Sequence, residues 1–252
     1  QAFNQMTARV QSSQQSQKDF VANVSHELKT PLTSVQGFAQ ALLDGTVDTP
    51  EGQRTAAQVI YDEAGRMHRL VLDLLDLARL DAGTLEMKRQ QVDIAALLKG
   101  VLEKFSLQAG RAAVRISYSG EGLPAIPGDG DRLAQVFTNL VENALKFTPS
   151  GGQVQVTAVR AGEFLEVRVA DTGSGINPQA LPHIFERFYQ ADKSRRGGQG
   201  RGVGLGLAIV AEIVRAHGGK ISVQSLPEQG SEFSVFLPLV SPDASTIVRQ
   251  KR

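Results

Sequence analysis

His26 opens the chemistry of this chain, with Glu27 beside it in sequence and Thr30 one helical turn on. They stand in FVANVSHELKTPLTSVQGFAQALLD, residues 20–44. A neutral imidazole nitrogen is nucleophilic near pH 7, so an exposed histidine is a candidate nucleophile. A second group lies in DRLAQVFTNLVENALKF, residues 131–147, where Asn139, Asn143 and Lys146 share one row, within about 60° of helical arc. Two amides and an ammonium on one rail suit a Mg²⁺-polyphosphate: the amide oxygen is a hard ligand and the ammonium offsets phosphate charge. A third group is DTGSGI, residues 171–176. Its glycines let backbone approach a ligand closely, and the Asp171 carboxylate can accept a hydrogen bond from an exocyclic amine. The fourth is GRGVGLG, residues 200–206, opening the apolar run LAIVAEIV, where loop N–H groups and a helix N-terminus can face phosphates. No GK[ST] follows it, so it is not a Walker A loop. Nor does an acidic residue follow about twenty positions on, as a dinucleotide fingerprint requires. Singly, each group has a plainer explanation: a surface histidine, a polar helix face, a hairpin-like turn, a flexible linker.

The elements that must carry these groups are legible in the periodicity. At about 100° per residue, Phe20, Val21, Val24, Leu28, Pro31, Leu32, Val35, Phe38, Ala39 and Leu42 fall on one arc opposite His26. Burying that arc turns the imidazole outward. Pro31 lacks an N–H and crowds the carbonyl of Glu27, which loosens the helix beside the histidine. A sparse heptad (Phe3, Val10, Val24, Pro31 and Phe38 on one seam, Val21, Leu28, Val35 and Leu42 on the other) predicts one helix from residue 1 to about Leu43. Gln14 and Gln17 interrupt it. After a turn at Asp44-Gly45 and Thr49-Pro50, a second helix is expected over Glu51–Leu80, closed by Asp81-Ala82-Gly83. Two helices cannot enclose a core alone, so the hairpin is expected to form a four-helix bundle with a second copy, a homodimer. From Leu85 strands and helices alternate. Strands are predicted at Val92–Ile94, Val114–Tyr118, Gln153–Arg160, Phe164–Ala170, Lys220–Ser225 and Glu232–Leu239, and helices at Ala95–Gln108, Asp131–Phe147 and Gly204–His217. In the helix of the amide row, Leu133, Val136, Leu140, Ala144 and Phe147 form a separate apolar stripe about 100° from it. The fold class is therefore α+β.

Composition narrows the function. Net charge is +1 without a long basic or acidic run, which points away from nucleic acid and membrane surfaces. The absence of cysteine removes disulfides and thiolate chemistry and fits a reducing compartment. No apolar run reaches the ~18 residues that span a bilayer and no signal-peptide pattern is present, so a soluble, cytoplasmic chain is expected. His68, His183 and His217 lack ligand spacing and read as structural or exposed.

Taken together, the four groups resemble the catalytic core of a bacterial sensor histidine kinase. SHELKTPL (25–32) is similar to the H box, DRLAQVFTNLVENALKFTP (131–149) to the N box, DTGSGI to the first G box, FERFY (185–189) to the F box and GVGLGLAIV (202–210) to the second G box, in family order. The resemblance implies a dimerisation and histidine-phosphotransfer domain at 18–84 and an ATP-binding domain at 85–241, an α/β sandwich of the GHKL (Bergerat) type. Residues 1–17 would end an upstream signalling helix, since AFNQM resembles the end of a HAMP module of a membrane receptor, and 242–252 would be a tail. The activity implied is autophosphorylation of His26 from ATP with Mg²⁺, then transfer to an aspartate of a response regulator, with dephosphorylation of that regulator at the same site. By motif, Glu27 would orient the imidazole and Thr30 would position water. Asn143 would ligate Mg²⁺, with Asn139 and Lys146 serving the polyphosphate. Asp171 would read the adenine amine in a pocket shaped by Gly173 and Gly175. Gly202, Gly204 and Gly206 would hinge a lid anchored by Phe185 and Phe188, with Arg187 a candidate γ-phosphate contact. The family F box commonly continues FYR, whereas Gln190 follows Tyr189 here, leaving Arg195 or Arg196 to supply that cation. A GHKL ATPase without phosphotransfer would share the later motifs but commonly carries a glutamate base where Asn139 stands. A catalytically inactive dimeric scaffold is the other alternative.

Overall fold

A computed structural model describes residues 2–82, 87–190 and 203–240, with side chains from Phe20 onward, Asp81 excepted. Gly202, Arg195, Arg196, the Gly83 stop, the side chains of the early heptad and the 242–252 tail lie outside the described residues. The chain divides into two compact units, residues 1–76 and 77–252.

The first unit is a helical hairpin. Helix α1 runs Ala2–Leu43 and passes through Pro31 without a break, as the heptad predicts. Helix α2 begins at Pro50, where a missing N–H costs nothing, and continues to Asp81. Asp44 organises the connection, accepting from the Thr46 N–H at 3.0 Å, and the Thr49 hydroxyl caps α2 by accepting from the Gly52 N–H at 3.1 Å. Glu27 of α1 meets Arg66 of α2, and both lie equally far from the turn, so the helices are antiparallel. Pro31, Ala56 and Leu70 are buried. Val21, Leu32, Phe38, Val71, Leu72 and Leu75 remain substantially exposed on the single chain.

The second unit is a sheet with helices packed on it. Its five strands are β2 (Arg115–Ser119), β4 (Gln153–Ala161), β5 (Phe164–Asp171), β6 (Lys220–Leu226) and β7 (Gly230–Pro238), in the order β2-β4-β5-β7-β6. Only β2–β4 is parallel; the other pairs are antiparallel. Val154, Val156 and Ala158 of β4, Leu165, Val167 and Val169 of β5 and Phe233, Val235 and Leu237 of β7 are all buried, the period-two face that a helix layer covers. That layer consists of α3 (Ile94–Ala112), α4 (Gly130–Phe147) and α5 (Gly206–Ala216). A separate ribbon pairs β1 (Gln90–Val92) with β3 (Ile126–Gly128).

Four sequence expectations shift. The first strand ends at Val92 because Asp93 leaves it to cap α3, its side chain accepting from the Ala96 N–H at 3.0 Å. Strand β3 was hidden in Pro127-Gly128, residues that read as loop but are tolerated in a short two-stranded ribbon. The last helix starts at Gly206 and not at Gly204, whose φ of 78° is left-handed. In α4 the buried stripe takes in Phe137, Val141 and Leu145, whereas Phe147 is 52% exposed with the Lys146 Nζ 5.2 Å over its ring. Among the described residues, no helix is long and apolar enough to cross a membrane.

Candidate functional site

On α1, His26 is exposed and Glu27 is half-buried. The Thr30 hydroxyl donates to the His26 carbonyl at 3.3 Å, and that of Thr33 to the Lys29 carbonyl at 2.9 Å. These back-bonds flank Pro31, which cannot donate to Glu27. The imidazole therefore sits on a helix whose ladder is rewired around it, facing away from the buried proline.

In the second unit, the later groups converge where β5, α4 and α5 meet. Asp171 closes β5, and its Oδ1 accepts from the Gly173 N–H at 2.8 Å. Burial pushes the Asp171 carboxyl up, opposed by the Gly173 and Ser231 amides. The loop beyond is pressed onto α4: the Ser174 N–H donates to the Phe147 carbonyl at 3.2 Å. A Cβ at Gly173 would lie 2.5 Å from that same carbonyl oxygen, so no larger residue fits. Gly175, at φ 65°, lets the Leu226 carbonyl come closer still. The Ile176 N–H is held by Ser225 Oγ at 2.8 Å.

Asn139 and Asn143 are half-buried on α4 and Lys146 is exposed. The Asn139 Nδ2 reaches the Gly206 carbonyl at 3.5 Å, joining the amide row to the glycine-opened start of α5. Phe188 is itself left-handed, at φ 61°, and its N–H donates to the Gly204 carbonyl at 2.9 Å. The FERFY segment and the second glycine loop are thus tied together. Phe185 packs edge-on to Phe233 with ring centroids 6.4 Å apart, fixing that segment to the sheet, while Arg187 is exposed. Among the described residues, no group of three His, Asp or Glu side chains is placed to hold a metal. Asn143, half-buried on α4, presents a hard amide oxygen of the kind a dication can take.

Two supports of this site went unread in the sequence. His217 is buried: its Nδ1 donates to the Ile213 carbonyl at 2.8 Å and its Nε2 accepts from the Asp129 N–H at 3.0 Å. Asp129 in turn caps α4 through the Arg132 N–H at 3.1 Å and accepts the Lys88 N–H at 3.0 Å. An aspartate just ahead of the helix was a capping signal; its pairing with a residue far along the chain had none. His68 and His183 are exposed, the latter bonded to Glu186 at 2.8 Å.

A helical hairpin with an outward histidine, followed by a helix-covered sheet with an amide row, a half-buried aspartate and a glycine-opened helix, defines a phosphoacceptor domain joined to an ATP-binding domain. Residues 16–83 match the family model of the His Kinase A (phospho-acceptor) domain. Residues 128–241 match that of the histidine kinase-, DNA gyrase B-, and HSP90-like ATPases. With both models in this order, the chain is a sensor histidine kinase catalytic core. It is 38% identical over 224 residues to the sensor protein SrrB of Staphylococcus aureus, an alignment taking in 89% of this chain and 38% of that protein. The chain thus spans about two fifths of the length of this curated relative. Among solved structures, it is similar to full-length ShkA in complex with AMPPNP, with 35% identity and a TM-score of 0.67 over 90% of this chain and 47% of that one. The fold is also that of histidine kinase ThkA in complex with the response regulator protein TrrA, with 23% identity and a TM-score of 0.69 over 88% of this chain and 61% of that one.

Proposed function

We propose that the chain is a protein-histidine kinase that phosphorylates His26 from ATP and passes the phosphoryl group to an aspartate of a response regulator. The observation that carries this reading is an exposed His26 on a phosphoacceptor hairpin, in a chain whose other unit gathers Asn139, Asp171 and the Gly204–Gly206 loop at the meeting of β5, α4 and α5. A ring nitrogen of His26 attacks the γ-phosphorus in line. The N–P bond forms as the bond to the β–γ bridging oxygen breaks, and ADP departs with that electron pair. Glu27 accepts a hydrogen bond from the other ring nitrogen, fixing the tautomer and stabilising the charge that develops there. Asp171 accepts the adenine amine, Gly173 and Gly175 let the base lie close to backbone, and Asn139 and Lys146 hold the polyphosphate. Asn143 would hold Mg²⁺ through its amide oxygen, and the ion would neutralise charge on the transferring group. Phe185 and Phe188 anchor a lid hinged at Gly202, Gly204 and Gly206, and Arg187 contacts the γ-phosphate. Catalysis is then mostly positioning and electrostatics.

Thr30 orients the water when the hairpin removes the phosphoryl group from the regulator. The domain limits follow the motifs, 18–84 and 85–241. The hairpin works as a homodimer, on the cytoplasmic side of a membrane receptor whose signal enters through residues 1–17. Support for the partner comes from the ThkA fold, seen with a response regulator, and for the nucleotide from ShkA, seen with AMPPNP. The test is incubation with γ-labelled ATP and Mg²⁺. The wild type should gain acid-labile, base-stable phosphate that His26→Gln loses completely. Release of free phosphate without labelled protein would mark an ATPase, neither would mark a scaffold, and either outcome overturns the reading.

A further inference from the structure

Arg66 stands between two carboxylates. Its Nη2 is 3.6 Å from Glu27 Oε2 across the hairpin, and its Nη1 is 3.8 Å from Glu63 Oε2 one turn back on α2. A guanidinium that grips a carboxylate closes to about 2.7–2.9 Å. Here it is shared, and neither partner holds it at hydrogen-bond distance. Glu63 Oε2 is a buried atom without a hydrogen-bond partner, so it exerts a standing pull on the nearest donor. All three side chains are less than a third exposed, Arg66 at 29%, Glu27 at 23% and Glu63 at 26%, so water screens the cluster only in part.

On the phosphotransfer reading above, we propose that Arg66 is a positioning residue for His26. It holds the Glu27 carboxylate against α2, and passing the guanidinium to Glu63 releases Glu27 to hydrogen-bond the His26 ring. Closing the Glu63 arm needs a shift of about an ångström, which draws Nη2 away from Glu27. No covalent bond changes. A small movement of α1 against α2 near Glu27 therefore decides whether the imidazole is oriented for attack, on the same helix that would bring the upstream signal.

The test is steady-state autophosphorylation of the full chain by Glu63→Gln, Arg66→Gln and Arg66→Lys, each with and without Glu27→Gln. Glu63→Gln removes the competing charge, tightens Arg66 on Glu27 and should lower kcat about threefold at unchanged KM for ATP. Arg66→Gln frees Glu27 and should raise kcat about threefold. Arg66→Lys, a point charge that cannot span both carboxylates, should fall between wild type and Arg66→Gln. Both responses should vanish in the Glu27→Gln background. If Glu63→Gln and Arg66→Gln move kcat the same way, or if either response survives without Glu27, Arg66 is a strut and the assignment is wrong. A melting curve for each variant separates loss of fold from loss of rate, and Arg66→Lys keeps the comparison open should Arg66→Gln unfold. A wild type that forms no phosphohistidine sinks the phosphotransfer reading and this proposal with it, whereas an active wild type with the wrong variant pattern sinks the proposal alone.

Discussion

Asp171 shows how one residue can be tuned by opposing effects. Desolvation raises its carboxyl, while the amides of Gly173 and Ser231 favour the charged form without fully compensating. An ionised carboxylate has about four acceptor positions, so the Gly173 bond leaves room for an adenine amine. Because its value is raised, nucleotide affinity should weaken on acidification at a pH above the ordinary aspartate range. Asp171→Asn should bind ATP about tenfold more weakly at pH 7.5 and lose that pH dependence, as titration calorimetry from pH 4.5 to 7.5 would read. Gly173→Ala tests the same loop sterically. Its methyl meets the Phe147 carbonyl and the Asp171 carboxylate, so nucleotide binding should fall at least as far as in Asp171→Asn, with the hairpin unaffected.

At the scale of elements, α4 is the rail and Asp129 is its fixing. One side chain caps the helix and receives the Lys88 N–H, while its backbone N–H is received by His217 at the end of α5. Asp129→Ala removes the cap and orphans the Lys88 donor, and should cost about 2 kcal/mol, read by urea unfolding. His217 adds a pH dependence of definite sign. Because burial disfavours the charged ring, its folded value lies below the usual histidine value of about 6.5. The folded state therefore binds fewer protons than the unfolded state once pH falls below about 6.5. Stability should be full above that pH and decline as acidification proceeds through the lowered folded value. His217→Gln should flatten this part of the profile while lowering stability at pH 7.5.

For the whole molecule, the uneven cover of the hairpin is the fact with the most consequence. Val71, Leu72 and Leu75 are each more than two fifths exposed on α2, as is Leu32 on α1. Large apolar side chains left in water on both helices mark an interface, and a second hairpin is the occupant a two-helix unit calls for. Leu72→Glu should convert a dimer to a monomer in sedimentation analysis while the nucleotide-binding unit keeps its melting transition. A dimer that survives both Leu72→Glu and Leu75→Glu would place the interface elsewhere.

The sequence by itself determined most of the elements and named the candidate residues of the site, because both rest on local rules. Heptad spacing carried α1 through Pro31, the stripe in 131–147 set the inward face of α4, and glycine in DTGSGI marked backbone that only glycine can adopt. What those rules could not reach were pairings between segments distant in the chain. They had no term for Asn139 meeting Gly206, Phe188 closing onto Gly204, Asp129 finding His217, or Arg66 poised between Glu27 and Glu63. They also misjudged residues where an end effect prevails over a period, as at Asp93, Gly204 and Phe147. Periodicity reports which face of an element is buried. Which partner meets that face, and at what distance, is decided only when the chain closes on itself.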